Sequence, residues 1–88
     1  MRILKFPLTD NDLFMPKGSR ILCAQMQNET ITLWAVCDEL AEKVPRRVIV
    51  LGTGHEGNGK EHFPYLGTVQ DSDLVWHLFD GGENDDEV

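Results

Sequence analysis

The sequence predicts a small all-β domain, either a mostly antiparallel β-sandwich or a partly open barrel, with room for one short helical turn. Short runs of alternating apolar and polar residues recur along the 88-residue chain, and they are enriched in β-branched and aromatic residues. Turn-forming residues separate these runs, and no segment keeps a helical period for three turns. The predicted strands are 2–6, 20–27, 30–37, 46–53, 64–70 and 73–79.

The first predicted hairpin runs from Arg20 to Asp38, with Asn28-Glu29 as a two-residue loop. Its register pairs Met26 with Ile31, Ala24 with Leu33 and Leu22 with Ala35 on an apolar face, and Gln27 with Thr30 and Gln25 with Thr32 on a polar face. A sheet with one buried side requires this division into faces. Because Cys23 and Cys37 fall on opposite faces, we expect two free thiols.

A second hairpin is predicted from Pro64 to Phe79, with Asp71-Ser72 at its tip. Its register sets Val69 opposite Leu74, Gly67 opposite Trp76 and Tyr65 opposite Leu78. The run 47–51 is apolar on both faces. It is therefore predicted as an interior strand with the two hairpins on either side.

Two segments are predicted to lie outside the sheets. Residues 39–44 can form a single helical turn that Asp38 caps and Pro45 ends. Residues 81–88 carry four acids and no apolar residue before Val88, so they cannot offset their ordering entropy. We therefore expect one β domain over 1–80 and a disordered acidic tail over 81–88.

The charge of the chain excludes several classes of partner. Fifteen acids and eight bases give a formal net charge of −7, which repels nucleic-acid backbones and anionic membrane surfaces. The apolar start of the chain is interrupted by Lys5 and Pro7, and no small-residue cleavage site follows, so no signal peptide is predicted. With only two cysteines as well, the sequence predicts a cytoplasmic protein.

The segment 52–60, GTGHEGNGK, matches two nucleotide-binding patterns. Gly52-x-Gly54-x-x-Gly57 fits the dinucleotide fingerprint, and the part from Gly54 to Lys60 fits most of a P-loop. Both motifs need a following helix to bind phosphate, whereas a proline and strand-forming residues follow here. We therefore predict a long flexible hairpin loop over 54–62 and no nucleotide site at either motif.

Patterns for metal binding and catalysis are weak. Donors that suit zinc are supplied by His55, His62, His77, Glu56 and Glu61, but no CxxC or HxxxH spacing occurs. Ser19 and Ser72 have no histidine nearby in the chain, and Cys37 falls on the apolar face as a packing residue. We therefore predict that the protein is not an enzyme and holds no metal or cofactor.

The two tryptophans are predicted to lie in the middle of strands. Trp76 is expected in the core, whereas Trp34 shares the polar face of the first hairpin with Ile21, Cys23 and Val36. These residues give that face an apolar base. Either the N-terminal strand covers this base or it is an exposed contact surface, in which case Trp34 is the natural anchor for a partner.

Several segments carry a family resemblance when taken in order. They are KFPL at 5–8, PKGSRIL at 16–22, LWAVCD at 33–38, LGTGH at 51–55, YLGT at 65–68 and LVWHLF at 74–79. In combination they resemble a family of short proteins of unknown function encoded by tailed phages and prophages. The resemblance implies a phage accessory protein in the cytoplasm of the host cell, and it implies no activity. Within these segments His55 and His77 either line a common site or fix the 52–54 turn by a hydrogen bond.

These observations predict a non-catalytic accessory protein that binds and modulates a host protein, for example a component of a defence system. Its acidity suits a basic surface on the target. Two alternatives stay open, namely a small-ligand binder such as a sponge for a nucleotide signal, and a virion component. The candidate binding residues are Trp34, Thr53, His55, Lys60 and His77. Exposed sheet edges in so small a domain also predict a homodimer.

Overall fold

The computed structural model describes residues 1–9 and 12–84, and it is all-β, as predicted. The strands are β1 (Arg2–Pro7), β2 (Phe14–Pro16), β3 (Arg20–Gln27), β4 (Thr30–Cys37), β5 (Lys43–Gly52), β6 (Tyr65–Asp71) and β7 (Leu74–Glu83). A short 3-10 helix spans Lys60–His62. The described residues form no helix with the length and apolar character that a membrane crossing requires.

The strands form two antiparallel sheets that pack into a sandwich. One sheet has the order β1-β4-β3, and the other has the order β2-β5-β7-β6. Over residues 1–9 and 12–84 the sheets do not close into a barrel, and the predicted small all-β fold is confirmed.

The core lies between the sheets and is built from both of them. One buried cluster joins Ala24 and Leu33 of the three-stranded sheet to Val69 and Leu78 of the four-stranded sheet. A second cluster consists of Met15, Ala35 and Cys37, each of which is fully buried. Trp76 packs against the first cluster, as expected for a core tryptophan.

The β3–β4 hairpin confirms most of the predicted register. Met26 pairs with Ile31, and Gln25 pairs with Thr32. Asn28 and Glu29 have φ angles of 52° and 65°, as a two-residue type I′ loop requires. Both cysteines are free thiols, as predicted.

A β-bulge changes the far end of this hairpin. Ile21 pairs with Ala35 and Cys23 with Trp34, so the predicted pairing of Leu22 with Ala35 is wrong. A bulge inserts one unpaired residue into a strand and shifts everything beyond it. Ile21 therefore packs into the core rather than on the face that carries Trp34.

The β6–β7 hairpin has a different register from the predicted one. Its loop is Ser72-Asp73, so Val69 pairs with Trp76 and Gly67 pairs with Leu78. The glycine that faces Trp76 is Gly52 of the neighbouring strand β5. The predicted packing of a tryptophan over a glycine therefore occurs, but with a different glycine.

The predicted helical turn over 39–44 is wrong. Asp38 begins a tight turn, in which its Oδ1 atom accepts a hydrogen bond from the Leu40 N–H and its carbonyl oxygen accepts one from the Ala41 N–H. Strand β5 then starts at Lys43, because Val44 pairs with Met15 of the short strand β2 and is buried. Strand β2 is not among the strands predicted from the sequence.

The neighbours of β5 also differ from the prediction. Strand β5 lies between β2 and β7, and the β3–β4 hairpin belongs to the other sheet. Because β5 and β6 are both antiparallel to β7, they are parallel to each other. Residues 53–64 are therefore a crossover connection that passes over β7, and the prediction of a hairpin loop here is wrong.

The C-terminal strand extends beyond the predicted end of the domain. β7 continues to Glu83, and Gly82 pairs with Arg47 of β5. The boundary predicted after residue 80 therefore falls inside a strand, which backbone pairing holds in place without an apolar side chain. Residues 85–88 of the predicted tail lie outside the described residues.

Candidate functional site

The first half of the glycine-rich segment is a tight turn that a histidine holds. The Gly52 N–H donates a hydrogen bond to His55 Nδ1 at 3.1 Å, and the His55 N–H donates to the Gly52 carbonyl oxygen at 3.0 Å. Gly54 has a φ angle of 92°, which glycine adopts more readily than other residues. The His55 ring contacts Trp76 edge to face at 6.3 Å between ring centroids. The hydrogen bond that the sequence offered as one explanation of His55 is therefore present.

His77 lies beside this turn in a chain of hydrogen-bonded side chains on the outer face of the four-stranded sheet. Its Nε2 atom is 2.8 Å from Thr53 Oγ1, and its Nδ1 atom is 3.0 Å from Thr68 Oγ1. The hydroxyl of Tyr65 continues the chain to Thr68. Because each hydroxyl can donate or accept, both ring nitrogens have a hydrogen-bond partner.

A cavity of about 340 Å³ lies between this face and the 53–64 crossover. Its lining residues are Leu51, Gly52, Thr53, Gly54, His55, Gly57, Glu61, His77 and Phe79. Leu51 and Phe79 supply apolar side chains, and Glu61 supplies a carboxylate. In the described part of the chain, no lysine or arginine lines this cavity.

The two nucleotide-binding patterns in this segment are not accompanied by the required helix. The 3-10 helix that follows Gly59 has only three residues, and Lys60 lies in that helix, away from the cavity lining. No group of three or more metal-binding side chains is present among residues 1–9 and 12–84.

The hydroxyl of Ser19 is buried and donates a hydrogen bond to the Pro16 carbonyl oxygen at 2.6 Å.

The arginine that precedes the apolar run is held in a buried ion pair. Arg46 Nε and Nη2 donate to the two carboxylate oxygens of Asp80 at 3.0 and 2.6 Å, and Nη1 donates to the Ser19 carbonyl oxygen at 2.9 Å. The hydrogen bond to Asp80 raises the pKa of Arg46, although burial opposes this. Burial raises the pKa of Asp80. The hydrogen bonds that Asp80 accepts from Arg46 and from the Gly82 N–H, together with the positive charge of Arg46, outweigh this effect and hold the pKa below its usual value.

A second candidate surface is the outer face of the three-stranded sheet, on the opposite side of the sandwich. Three rows of side chains cross it from β1 through β4 to β3, namely Ile3, Val36 and Arg20, then Lys5, Trp34 and Cys23, then Pro7, Thr32 and Gln25. Strand β1 extends this face at its edge and does not cover it. Ile3 is 61% exposed and Trp34 is half-buried, so the apolar base is open to solvent at this face.

The charge of this face is opposite to that of the whole chain. Strands β1, β3 and β4 contain no aspartate or glutamate, and on this face Lys5 and Arg20 are basic. Lys5 Nζ donates to Gln27 Oε1 at 2.8 Å, across β4. Among residues 1–9 and 12–84 the acids lie outside these three strands, so the outer face of the three-stranded sheet is apolar and basic.

The structure brings together three of the five predicted binding residues, Thr53, His55 and His77. Trp34 lies on the other sheet. The sequence indicated no role for Leu51, Tyr65, Thr68 and Phe79 at this site, and it indicated Glu61 only as a donor that suits zinc. The correct hairpin register would have placed Thr68 opposite His77. The crossover places Glu61 in the cavity lining, and no local sequence pattern predicts that crossover.

The comparison with known families covers almost the whole chain. The domain of unknown function DUF7352 matches residues 1–87. The chain belongs to this family. Neither a search of curated proteins nor a search of solved structures gave a match for this DUF7352 domain.

Proposed function

We propose that the protein is a non-catalytic binding module that docks a partner protein on the outer face of its three-stranded sheet. The observation that carries this proposal is the group of apolar side chains on that face, in which Trp34 lies on the central strand β4 and Ile3 is largely exposed on the edge strand β1. Aromatic side chains bordered by polar groups are the usual anchors of protein interfaces.

The charge pattern of the face indicates the chemistry of the partner. Lys5 and Arg20 flank the apolar residues, and no acid of the same strands neutralises them. A target patch that is apolar at its centre and carries carboxylates at its border matches this pattern. The expectation of a basic target rested on net charge alone, and the distribution of charge favours an acidic border instead.

The edge of the same sheet is less suited to binding than its face. The Leu8 N–H donates a hydrogen bond to the Ile31 carbonyl oxygen. The backbone N–H and C=O groups of the even-numbered residues of β1 therefore bond to β4, and those of the odd-numbered residues point to the open edge of the sheet. Pro7 has no N–H to offer there, and Lys5 keeps a charge on the strand. Both features discourage edge-to-edge pairing.

A second copy of the chain is a poorer match for this face. Two copies stacked face to face would place four basic side chains, Lys5 and Arg20 of each copy, in one interface to which these strands contribute no acid. Like charges facing each other oppose association. The resemblance to phage and prophage proteins supports a protein of the host cell as the partner, bound in the host cytoplasm.

The test compares two variants that each place a glutamate at an exposed apolar position. Ile3→Glu changes the proposed face, and Leu74→Glu changes the tip of the β6–β7 hairpin, where Leu74 is 54% exposed. Host extract is passed over each immobilised protein, and retained proteins are purified and titrated against each variant. We expect a partner that binds the unmodified protein and Leu74→Glu, binds Ile3→Glu at least about tenfold more weakly, and binds less tightly as salt increases.

Three results would contradict the proposal. The first is that no protein is retained in a way that depends on Ile3. The second is equal loss of binding in both variants, which indicates that the face is not the site. The third is a sedimentation experiment in which the unmodified protein is a dimer and Ile3→Glu is a monomer, because the occupant is then a second copy.

A further inference from the structure

We infer that the cavity under the 53–64 crossover binds a small organic cation, in which an ammonium group is joined to an apolar or aromatic body. This site is on the four-stranded sheet, opposite the proposed protein-binding face. It is a separate site with its own ligand, so neither proposal depends on the other.

The shape and floor of the cavity suit the body of such a ligand. Its volume of about 340 Å³ lies within the range of small-molecule sites, roughly 300 to 1,000 Å³. Leu51 and Phe79 supply apolar side chains on the sheet. The ring of Phe79 already contacts Tyr65 edge to face at 5.7 Å between ring centroids, which fixes its orientation toward an aromatic guest.

The charge of the lining selects a cation. Glu61 is the acidic residue of the lining, and its carboxylate lies against the Cα of Gly57, in the space that a side chain at position 57 would fill. Arg46 is occupied by Asp80, and the guanidinium of Arg47 lies 5.5 Å from the ring centroid of Phe63. A phosphate would therefore meet a carboxylate here, whereas an ammonium group would gain a counter-ion.

The histidines of the lining have hydrogen-bond partners within the protein. Both nitrogens of His77 are bonded to threonine hydroxyls, and His55 Nδ1 accepts the Gly52 N–H. Glu61 is therefore the charged acceptor of the lining; its Oε2 atom lies 3.7 Å from His62 Nε2, and its side chain is 52% exposed at the edge of the cavity. Its exposed position places the ammonium group at the opening and the apolar body over Leu51 and Phe79.

The crossover side of the cavity leaves space for a ligand because part of it is backbone. Gly54 and Gly57 lie on this side without side chains of their own, and the space beside Gly57 holds the Glu61 carboxylate. Gly54 has open space around the position that a Cβ atom would take.

The experiment titrates 2-phenylethylamine into the full-length protein and follows backbone amide shifts by NMR. Phenylacetate is the matched anion, since it has the same ring and the opposite charge. We expect saturable shifts at Leu51, Gly54 and His77 with the amine and none with phenylacetate. Glu61→Gln should weaken amine binding at least about fivefold, which corresponds to about 1 kcal/mol.

Glu56→Gln is the control variant, because Glu56 is an exposed acid of the same crossover that does not line the cavity. It should bind the amine like the unmodified protein. The inference is overturned if phenylacetate or adenosine monophosphate binds as tightly as the amine, or if Glu61→Gln and Glu56→Gln behave alike. The absence of saturable shifts up to about 10 mM amine, ten times a millimolar dissociation constant, would also overturn it.

Discussion

Gly52 and Trp76 face each other across β5 and β7, and the indole ring occupies the space beside the glycine. A Cβ atom on Gly52 would lie 3.1 Å from Trp76 Cζ3 and 2.9 Å from His55 Cε1. The contact joins the core to the 52–55 turn, because Trp76 packs against the buried cluster and His55 accepts the Gly52 N–H. The absence of a side chain at position 52 is therefore a steric requirement of the fold.

We predict that Gly52→Ala lowers the free energy of unfolding by about 1–3 kcal/mol, as overpacking of a filled site usually does. Urea denaturation followed by circular dichroism measures this change. His55→Ala removes the nearer of the two rings, so Gly52→Ala should cost less in that background than in the unmodified protein. Equal costs in both backgrounds would show that the His55 ring does not restrict position 52.

The sequence predicts local pairing well where a turn fixes it. Asn28-Glu29 sets the β3–β4 register, and only the bulge beyond Ile21 departs from the prediction. The β6–β7 register was wrong by two residues at Val69, which pairs with Trp76 instead of Leu74. A shift of two residues leaves every side chain on the same face, so alternation cannot distinguish the two registers.

Non-local features of the site could not be predicted in this way. The chain gives no signal that β5 pairs with β7 rather than with β6, and the crossover follows from that pairing. The sequence therefore indicated a bend over the glycine-rich segment but not its position above His77 and Phe79. Likewise, the opposite charge of the outer face appears only once β1, β3 and β4 are known to share a sheet.

The β3–β4 loop should become more stable with glycine at position 29. Glu29 has a φ angle of 65°, a conformation that costs a residue with a Cβ atom roughly 1 kcal/mol. Glu29→Gly should therefore raise the free energy of unfolding by about 0.5–1 kcal/mol in urea denaturation. Glu29→Ala removes the same charge but keeps the Cβ atom, and it should give no such gain. If Glu29→Ala raised the free energy of unfolding equally, the effect would come from removal of the charge and not from the backbone conformation.

The two cysteines should differ in their reaction with iodoacetamide. Cys37 is fully buried, and its sulfur lies 3.2 Å from the Ser19 hydroxyl, whereas Cys23 is partly exposed on the outer face. Short labelling of the folded protein should modify Cys23 alone, and labelling in concentrated guanidinium chloride should modify both. Mass spectrometry of proteolytic fragments distinguishes these products. Modification of Cys37 in the folded protein would contradict the described core.

The ion pair between Arg46 and Asp80 should make stability depend on pH in the acid range. The side chains of the two residues are only 8% and 16% exposed, so loss of Asp80 leaves the poorly solvated Arg46 charge with the more distant carboxylate of Glu83, whose Oε2 atom is 3.8 Å from Arg46 Nη1. We predict that Asp80→Asn lowers the free energy of unfolding by about 3 kcal/mol at pH 7. Urea denaturation at a series of pH values provides the measurement.

The direction of the pH effect follows from the lowered pKa of Asp80. In the folded protein this pKa lies below 3.8, its ordinary value, so the carboxylate adds stability above pH 3.8 and loses that contribution as the pH falls through the folded value. Arg46 stays charged throughout, because its pKa is raised. The difference between the unmodified protein and Asp80→Asn should therefore shrink as the pH is lowered below 3.8.

An exposed acid at the end of β6 supplies the control for this pH series. Asp71 lies beside the β6–β7 loop and is exposed, so Asp71→Asn should change stability by less than about 0.5 kcal/mol at pH 7. If Asp80→Asn were equally harmless there, the Arg46 ion pair would add nothing to stability. If its cost at pH 7 persisted unchanged into strong acid, the loss would come from packing of the side chain, since protonated Asp80 and the asparagine that replaces it are both uncharged in those conditions.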